Sequence, residues 1–301
     1  MKPKEKRQLL KKLSAPDWRR TSGYLLMDYG IILLLGIACE YLLSIDPVYG
    51  WAGYLFSLPF IGGRILGIND TIGHELIHFN GAKRKNINRV MGYLCFLPVF
   101  DTFERYRTNH WDHHRFLGME NDPSQEWFRD LGLTNRKNLR FKWFVRPFTG
   151  YFTWEYMVSV IKNFLSEGRQ HRIQLIVFWS MVTVFVLLTG TTGFLIKYWM
   201  IPLLFIYPVF MYWREAIDHF GLAPGKLTRD LKGNFWTRIF IAPHSDGYHH
   251  LHHKYPNIPL YNLKRGYVLM NEEDMNEIQD CSGFFDAYRS FQTTKVAYHN
   301  D

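Results

Sequence analysis

The side chains in this sequence best suited to chemistry are its histidines, most of which fall in three tight groups. The first is His74-Glu75-Leu76-Ile77-His78, the second His110-Trp111-Asp112-His113-His114, and the third His249-His250-Leu251-His252-His253. On a helix, residues three and four apart are surface neighbours about 6 Å from one another, close enough to share a metal ion. A lone H-x-x-x-H is ordinarily a solvated pair. Two H-x-x-H-H groups beside an H-x-x-x-H are another matter, because no packing requirement collects so many imidazoles and, protonated, they would repel. Metal ions remove the conflict by binding the neutral form.

His219 closes the last long apolar segment, within Arg214-Glu215-Ala216-Ile217-Asp218-His219-Phe220-Gly221-Leu222, and is read as a further ligand. Glu215 lies one turn earlier on the same face, and it or Glu75 of the first box could add a carboxylate. His74, His78, His110, His113, His114, His219, His249, His252 and His253 make nine imidazoles, too many for one ion, so two are expected. Imidazole suits iron, zinc and copper alike, which leaves the metal open. Asp112, Asp218 and Asp246, and also Asp122, stand near proposed ligands and are candidates to orient an imidazole through its second nitrogen. For each of them a solvated loop charge is the competing reading. His171, His244, His250 and His299 are not assigned as ligands.

Something must bring these groups together. A membrane-spanning helix needs about 20 apolar residues, and four windows qualify: about 24–45, 48–68, 173–188 and 193–213. The short links at Asp46-Pro47 and Thr189–Thr192 predict two antiparallel hairpins, which put both termini and all three histidine groups on one side. The basic arm 1–20 and the Lys/Arg-rich stretches 83–89, 136–146 and 229–264 fall on that side, which the positive-inside rule makes cytoplasmic. Asp28, Glu40 and Arg64 lie in or near the windows, where an isolated charge costs a few kcal/mol, so they blur the boundaries and keep a soluble helical protein as a minority reading. The expected fold is an all-α integral membrane protein. It has four transmembrane helices in two hairpins and a helical cytosolic cap over 69–172 and 214–301, as one domain from 1 to 301. Segments 90–100 and 147–165 are too short or too polar to span and are expected to be interfacial.

Composition agrees. The chain is 47% hydrophobic and 17% aromatic, yet its mean hydropathy is slightly below zero, as apolar segments joined to a large polar cap would give. The net charge of +9 begins with Lys2, Lys4, Lys6, Arg7, Lys11, Lys12, Arg19 and Arg20. Such an arm could bind nucleic acid, but it runs straight into the apolar stretch 25–45, so no nucleic-acid partner is expected. That stretch is too long for a secretory signal, and no small-residue cleavage site follows it. Cys39, Cys95 and Cys281 are widely spaced, which argues against a disulfide framework or a zinc ribbon.

In order, spacing and position relative to the paired apolar segments, the three boxes resemble those of the membrane-bound fatty acid desaturase and hydroxylase superfamily. The run from Tyr248 through His253-Lys254-Tyr255-Pro256-Asn257-Ile258-Pro259, with Tyr261-Asn262-Leu263 after it, resembles the family's third box and its sequel. The likeness covers about 17–263. It implies a di-iron centre cycling between Fe2+ and Fe3+ on the nine histidines, O2 as co-substrate and a lipid or acyl substrate. It also implies an external electron donor of ferredoxin, rubredoxin or cytochrome b5 type, and residence in a bacterial inner membrane or, in a eukaryote, the endoplasmic reticulum. Desaturation is expected ahead of hydroxylation. The third box begins with His249 rather than Gln and no fused cytochrome b5 domain is visible, which disfavours front-end desaturases. Asp218-His219-Phe220-Gly221-Leu222 and His244-Ser245-Asp246 resemble alkane monooxygenases instead, so the motifs do not separate the two chemistries. An amino-acid-derived or terpenoid substrate also stays open.

Two rival readings exist. His74-Glu75-x-x-His78 matches the zinc-protease signature, with Glu75 as base, but leaves both H-x-x-H-H groups without a role. A metal transporter would use histidines reversibly, yet transporters place ligands near the bilayer midplane, whereas these follow the apolar segments.

Overall fold

The computed structural model describes residues 1–134, 137–231 and 233–293, so Arg136 and His299 lie outside the described residues. Among those described, four helices are long and apolar enough to cross a membrane: Trp18–Ile45, Pro47–Ile77, Arg169–Thr189 and Thr192–His219. Their ends follow local chemistry. Asp17 caps the first helix by accepting from the Arg19 backbone N–H. Asp46 ends that helix and caps the second, accepting from the N–H groups of Val48 at 2.7 Å and Tyr49 at 3.2 Å. Pro47 follows at the first helical position, where a missing N–H is harmless. Gly190, at φ 69°, stops the third helix in the left-handed conformation that favours glycine. Large apolar side chains on these helices point outward, among them Leu34, Phe56 and Leu188, the last 83% exposed. A surface this apolar calls for a cover other than water.

Two of the helices run further than their apolar windows. The second continues past 68 through a π-helical stretch, Gly67–Gly73, into His74–Ile77. The fourth has its own π-helical stretch, Ile196–Met200, and ends at His219 rather than near 213. Each rod therefore carries box or ligand-candidate histidines on the same helix that carries its apolar span. Inserted π turns shift the facing of everything beyond them and recur at functional sites.

The charges that blurred the windows are paired. Arg64 donates through Nη1 to Asp28 Oδ1 at 2.9 Å, joining the first two long helices, and through Nη2 to the Ile239 carbonyl at 2.7 Å. The other Asp28 oxygen lies 2.7 Å from His244 Nε2. Glu40 pairs with Lys197 and accepts from the Tyr198 hydroxyl at 2.8 Å. An ion pair removes most of the penalty that each charge would carry alone.

The all-α expectation needs one correction. Thr228–Leu231 and Ile278–Cys281 form a two-stranded parallel sheet, with Thr228 opposite Ile278 and Leu231 opposite Cys281. Strands of four residues, the first buried throughout, are too short to leave an alternating pattern in the sequence. The sheet grips the third box: Asp230 Oδ1 accepts the His250 backbone N–H at 2.9 Å and the Thr228 hydroxyl meets His250 Nδ1 at 2.9 Å. The basic arm is also built in. Its helix, Pro3–Leu13, buries Leu13 against Leu251, Ile258, Leu260 and Leu263, and Asn262 donates to the Leu13 carbonyl at 2.8 Å. Segments 90–100 and 147–165 lie mostly in two shorter helices, Lys85–Phe96 and Tyr151–Ser166. The three cysteines are free and buried.

Arg64→Met takes the guanidinium from a fully buried carboxylate that keeps its contact with His244, and removing one partner of a buried pair costs about 3–5 kcal/mol. Thermal unfolding in detergent should show that loss, and Asp28→Asn added to Arg64→Met should recover most of it.

Candidate metal centre

The nine histidines singled out from the sequence converge as two clusters. His74, His78, His110, His114 and His252 bring ring nitrogens within 4.8 Å of one another, and so do His113, His219, His249 and His253. Box helices Phe103–Phe116 and His249–Lys254 supply the second and third boxes, while the ends of the second and fourth long helices supply His74, His78 and His219. Each H-x-x-H-H box is divided, where the sequence suggested a single face. The i and i+4 members stay together, as His110 with His114 and His249 with His253, whereas the i+3 members His113 and His252 cross to the opposite cluster. Helical geometry accounts for this: at 3.6 residues per turn, adjacent positions i+3 and i+4 point about 100° apart. The boxes thus exchange one imidazole each, and the clusters are tied to one another through both helices.

The ring nitrogens face each other directly. Nε2 to Nε2 distances are 2.8 Å for His74 and His252, 3.0 Å for His78 and His110, and 3.1 Å for His114 and His252. In the second cluster they are 3.1 Å for His113 and His219, 2.7 Å for His219 and His249, and 3.0 Å for His249 and His253. Nitrogens about 2.1 Å from a common ion and at right angles around it stand about 3.0 Å apart, so the spacing fits metal ligation. Protonation would oppose it. Burial first, and then neighbouring imidazoles, hold His78, His110, His249, His252 and His253 well below the usual histidine range, and push His114 down to about 3. Neutral rings are the form that binds metal. His113 is the exception: burial lowers it, but the hydrogen bond to Asp122 and the nearby Glu215 and Asp122 charges raise it overall.

Of the acids expected to orient imidazoles, Asp122 does so most directly, with Oδ1 2.8 Å from His113 Nδ1. It also caps helix Pro123–Asp130 and accepts from the Gly118 and Ser124 N–H groups, which fixes its carboxylate. Asp218 Oδ2 lies 3.6 Å from His249 Nδ1 and 3.1 Å from Arg214 Nε. Asp246 instead faces Arg214 Nη2 at 3.2 Å. Asp112 is a correction: its side chain is exposed and makes no hydrogen bond or ion pair among the described residues, because the face of its helix that carries His110, His113 and His114 turns it to solvent. Glu75 belongs to neither cluster and accepts the Leu260 backbone N–H at 2.9 Å, locking the first box to the segment after the third. Glu215 is likewise outside both clusters; it accepts from the Ser124 hydroxyl, which is 3.1 Å from His113 Nδ1. His171 and His250 meet the Thr102 and Thr228 hydroxyls through Nδ1 and belong to neither cluster.

Other residues of the site went unread in the sequence. Arg214 is buried and pairs with both Asp218 and Asp246. A chamber of about 140 Å³ opens against both clusters, lined by His74, His110, His113, His219 and His249 and by Asp70, Tyr106 and Asn109. Asp70 precedes His74 by four residues on one long helix just as Glu215 precedes His219 on the other. That repeated spacing was the available signal.

A helical chain with four membrane-length helices and two buried all-imidazole clusters defines a class of membrane metalloprotein. Residues 49–277 match the model of the family described as fatty acid desaturase, and the chain belongs to that family. It is 28% identical over 282 residues to dihydrorhizobitoxine desaturase of Bradyrhizobium elkanii, a match covering 86% of this chain and 78% of the relative. It is 25% identical to sn-1 oleoyl-lipid 12-desaturase of a Picosynechococcus species, over 78% of this chain and 73% of the relative. A third relative, sn-1 acyl-lipid omega-3 desaturase (ferredoxin) of a Nostoc species, is 24% identical over 74% and 70% respectively.

Asp122→Asn keeps a helix cap but weakens the acceptor behind His113, and loss of such a partner costs about 10–100-fold in metal affinity. Titration of the apoprotein with Co2+ should show the four-histidine cluster filling at correspondingly higher concentration, with the five-histidine cluster unchanged.

Proposed function

We propose that this protein is an O2-dependent di-iron desaturase. The observation that carries the reading is the sorting of nine buried or half-buried imidazoles into groups of five and four that share both box helices. His74, His78, His110, His114 and His252 would hold one iron, and His113, His219, His249 and His253 the other. When bound, such a pair supplies the redox chemistry needed to reduce O2 against an unactivated C–H bond. The protein's own contribution is positional. Asp122 holds His113 in one tautomer, Arg214 fixes Asp218 and Asp246 beside the second cluster, and Glu75 ties the first box to the chain beyond the third. Burial favours the neutral form of the rings, against which Asp122 and Glu215 act at His113.

In the reaction two C–H bonds break and one C=C bond forms, so the substrate gives up two electrons and two protons. With two electrons from an external donor and two protons from solvent, O2 becomes two molecules of water. A lipid or acyl substrate is supported by the names of the cyanobacterial relatives, and a ferredoxin-type donor by one of them. Four membrane-length helices and the basic stretches support a membrane location, with the clusters and both termini facing the cytoplasm in two hairpins, as one domain. Hydroxylation by the same site is the second reading, because the ligand set serves it equally. The zinc-protease reading loses support from Glu75, whose carboxylate is engaged by Leu260.

Expression in a host without such enzymes, followed by mass spectrometry of lipid and aqueous extracts, should reveal a product lacking two hydrogens; a product with one added oxygen would favour hydroxylation. His110→Ala, His113→Ala or His252→Ala should each lower iron content and turnover together, the latter by about 100-fold or more. Full turnover in these variants would overturn the ligand set.

A further inference from the structure

Trp111, inside the second box, is 38% exposed. Its ring centroid lies 5.1 Å from that of His78 and 5.7 Å from that of His114, both members of the five-histidine cluster. Among the described residues no other exposed aromatic side chain is in ring contact with a ligand histidine; Tyr106, which stacks on His110, is half-buried. The indole therefore joins the protein surface to one cluster through a single ring contact.

The surface around it is basic. The Arg107 guanidinium, one turn earlier, lies over the Trp111 ring at 5.4 Å and over the Phe79 ring at 4.4 Å, and Lys85 Nζ lies over Phe79 at 5.3 Å. Burial first, and then the Arg89 charge, lower the Arg107 pKa, so Arg89 belongs to the same patch. Lys85, Arg89 and Arg107 make no ion pair among the described residues. Exposed Lys83 and Arg84 precede them in the chain and exposed Arg115 follows Trp111 by one turn, against the two acids Glu104 and Asp112. Like charges gathered in this way raise the local potential and draw an anionic partner.

The placement favours a soluble partner over the lipid surface. Helix Lys85–Phe96 runs back towards the first long helix, where Tyr29 donates to the Leu94 carbonyl at 2.6 Å, and its Val90 and Leu94 are exposed there. Its basic start is the end away from that apolar span. Trp111 likewise packs on His78, the first-box histidine farther along the helix from its apolar window. The other basic surface, the arm helix Pro3–Leu13, has no aromatic side chain to place against a ligand.

Resting on the desaturase reading, which needs two electrons from outside, we propose that Trp111 and the cations around it are the docking surface for an acidic one-electron carrier of the ferredoxin type. One electron leaves the carrier's reduced cluster, crosses the indole–imidazole contact and reduces Fe3+ to Fe2+ at the five-histidine cluster; the indole itself is not oxidised. A second encounter delivers the second electron. Trp and Arg are the side chains that most often anchor an interface, and electron-transfer encounters use small ones.

Iron-loaded protein in phosphatidylcholine nanodiscs is mixed, without O2, with a reduced acidic plant-type ferredoxin; interferometry reads binding and stopped-flow absorbance reads electron transfer. Lys85→Glu with Arg89→Glu should slow association by about tenfold or more at low ionic strength, with iron content unchanged, and high salt should shrink the difference. Trp111→Leu should lower the limiting transfer rate at saturating ferredoxin while dithionite, a small reductant, still reduces the iron as in the wild type; Trp111→Phe should keep most of the rate. Wild-type association in the double variant, as a patch lying on the bilayer would give, overturns the proposal. So does slowed association on reversing Lys4 and Lys11 of the arm with none on reversing Lys85 and Arg89. Loss of iron in Trp111→Leu would make the indole a brace for its ligands and overturn its role as the entry point. If docking and transfer behave as stated but no product lacking two hydrogens forms, the desaturase reading fails while the docking surface stands.

Discussion

Imidazoles shut away from water cannot easily hold protons, and the rest of this structure depends on that. Nine of them with nitrogens 2.7–3.1 Å apart would repel one another if charged; uncharged, they form two nests of lone pairs suited to cations. The long helices, the box helices and the small sheet all serve to hold these rings in place. The sheet does so through His250, which is no ligand candidate, and Glu75 does so through Leu260. Rings that must point inward at fixed distances need rigid supports, and Asp122 behind His113 is the most direct of them.

The same logic governs charge within the apolar helices. Asp28 with Arg64, and Glu40 with Lys197, are tolerable because each has a partner on another helix, and the pairing pins those helices in register. Around the clusters, Arg214 plays the corresponding part for Asp218 and Asp246. Asp70 and Glu215, on the same chamber wall, accept instead from the Tyr106 and Ser124 hydroxyls.

The division of each H-x-x-H-H box between clusters also constrains mechanism. Since His113 and His252 each cross to the cluster opposite their box neighbours, each box helix contributes to both clusters. Two sites tied through shared helices would suit chemistry that draws on two metal ions together. This coupling arises from ordinary helical geometry, with no special sequence device beyond an extra histidine at i+3.

Much of the site was legible in the sequence because its signal is compositional: eight histidines at helical spacing in three boxes, with His219 at a helix end, point to metal binding, and the apolar windows at 24–45 and 193–213 are long enough to span a membrane. The four long helices followed from the same windows. The sequence could not say which imidazole joins which cluster, because that depends on how two short helices are rotated against two long ones. Nor could it say that Asp122 rather than Asp112 backs a ligand, since proximity along the chain does not fix the direction a side chain faces. The parallel sheet was equally hidden, its strands being four residues long and about fifty residues apart. Sequence alone determined the kinds of groups present and the elements that carry them, because local spacing and hydropathy encode those directly. Their pairing, burial and facing were left to the tertiary structure, because these depend on contacts between residues far apart in the chain.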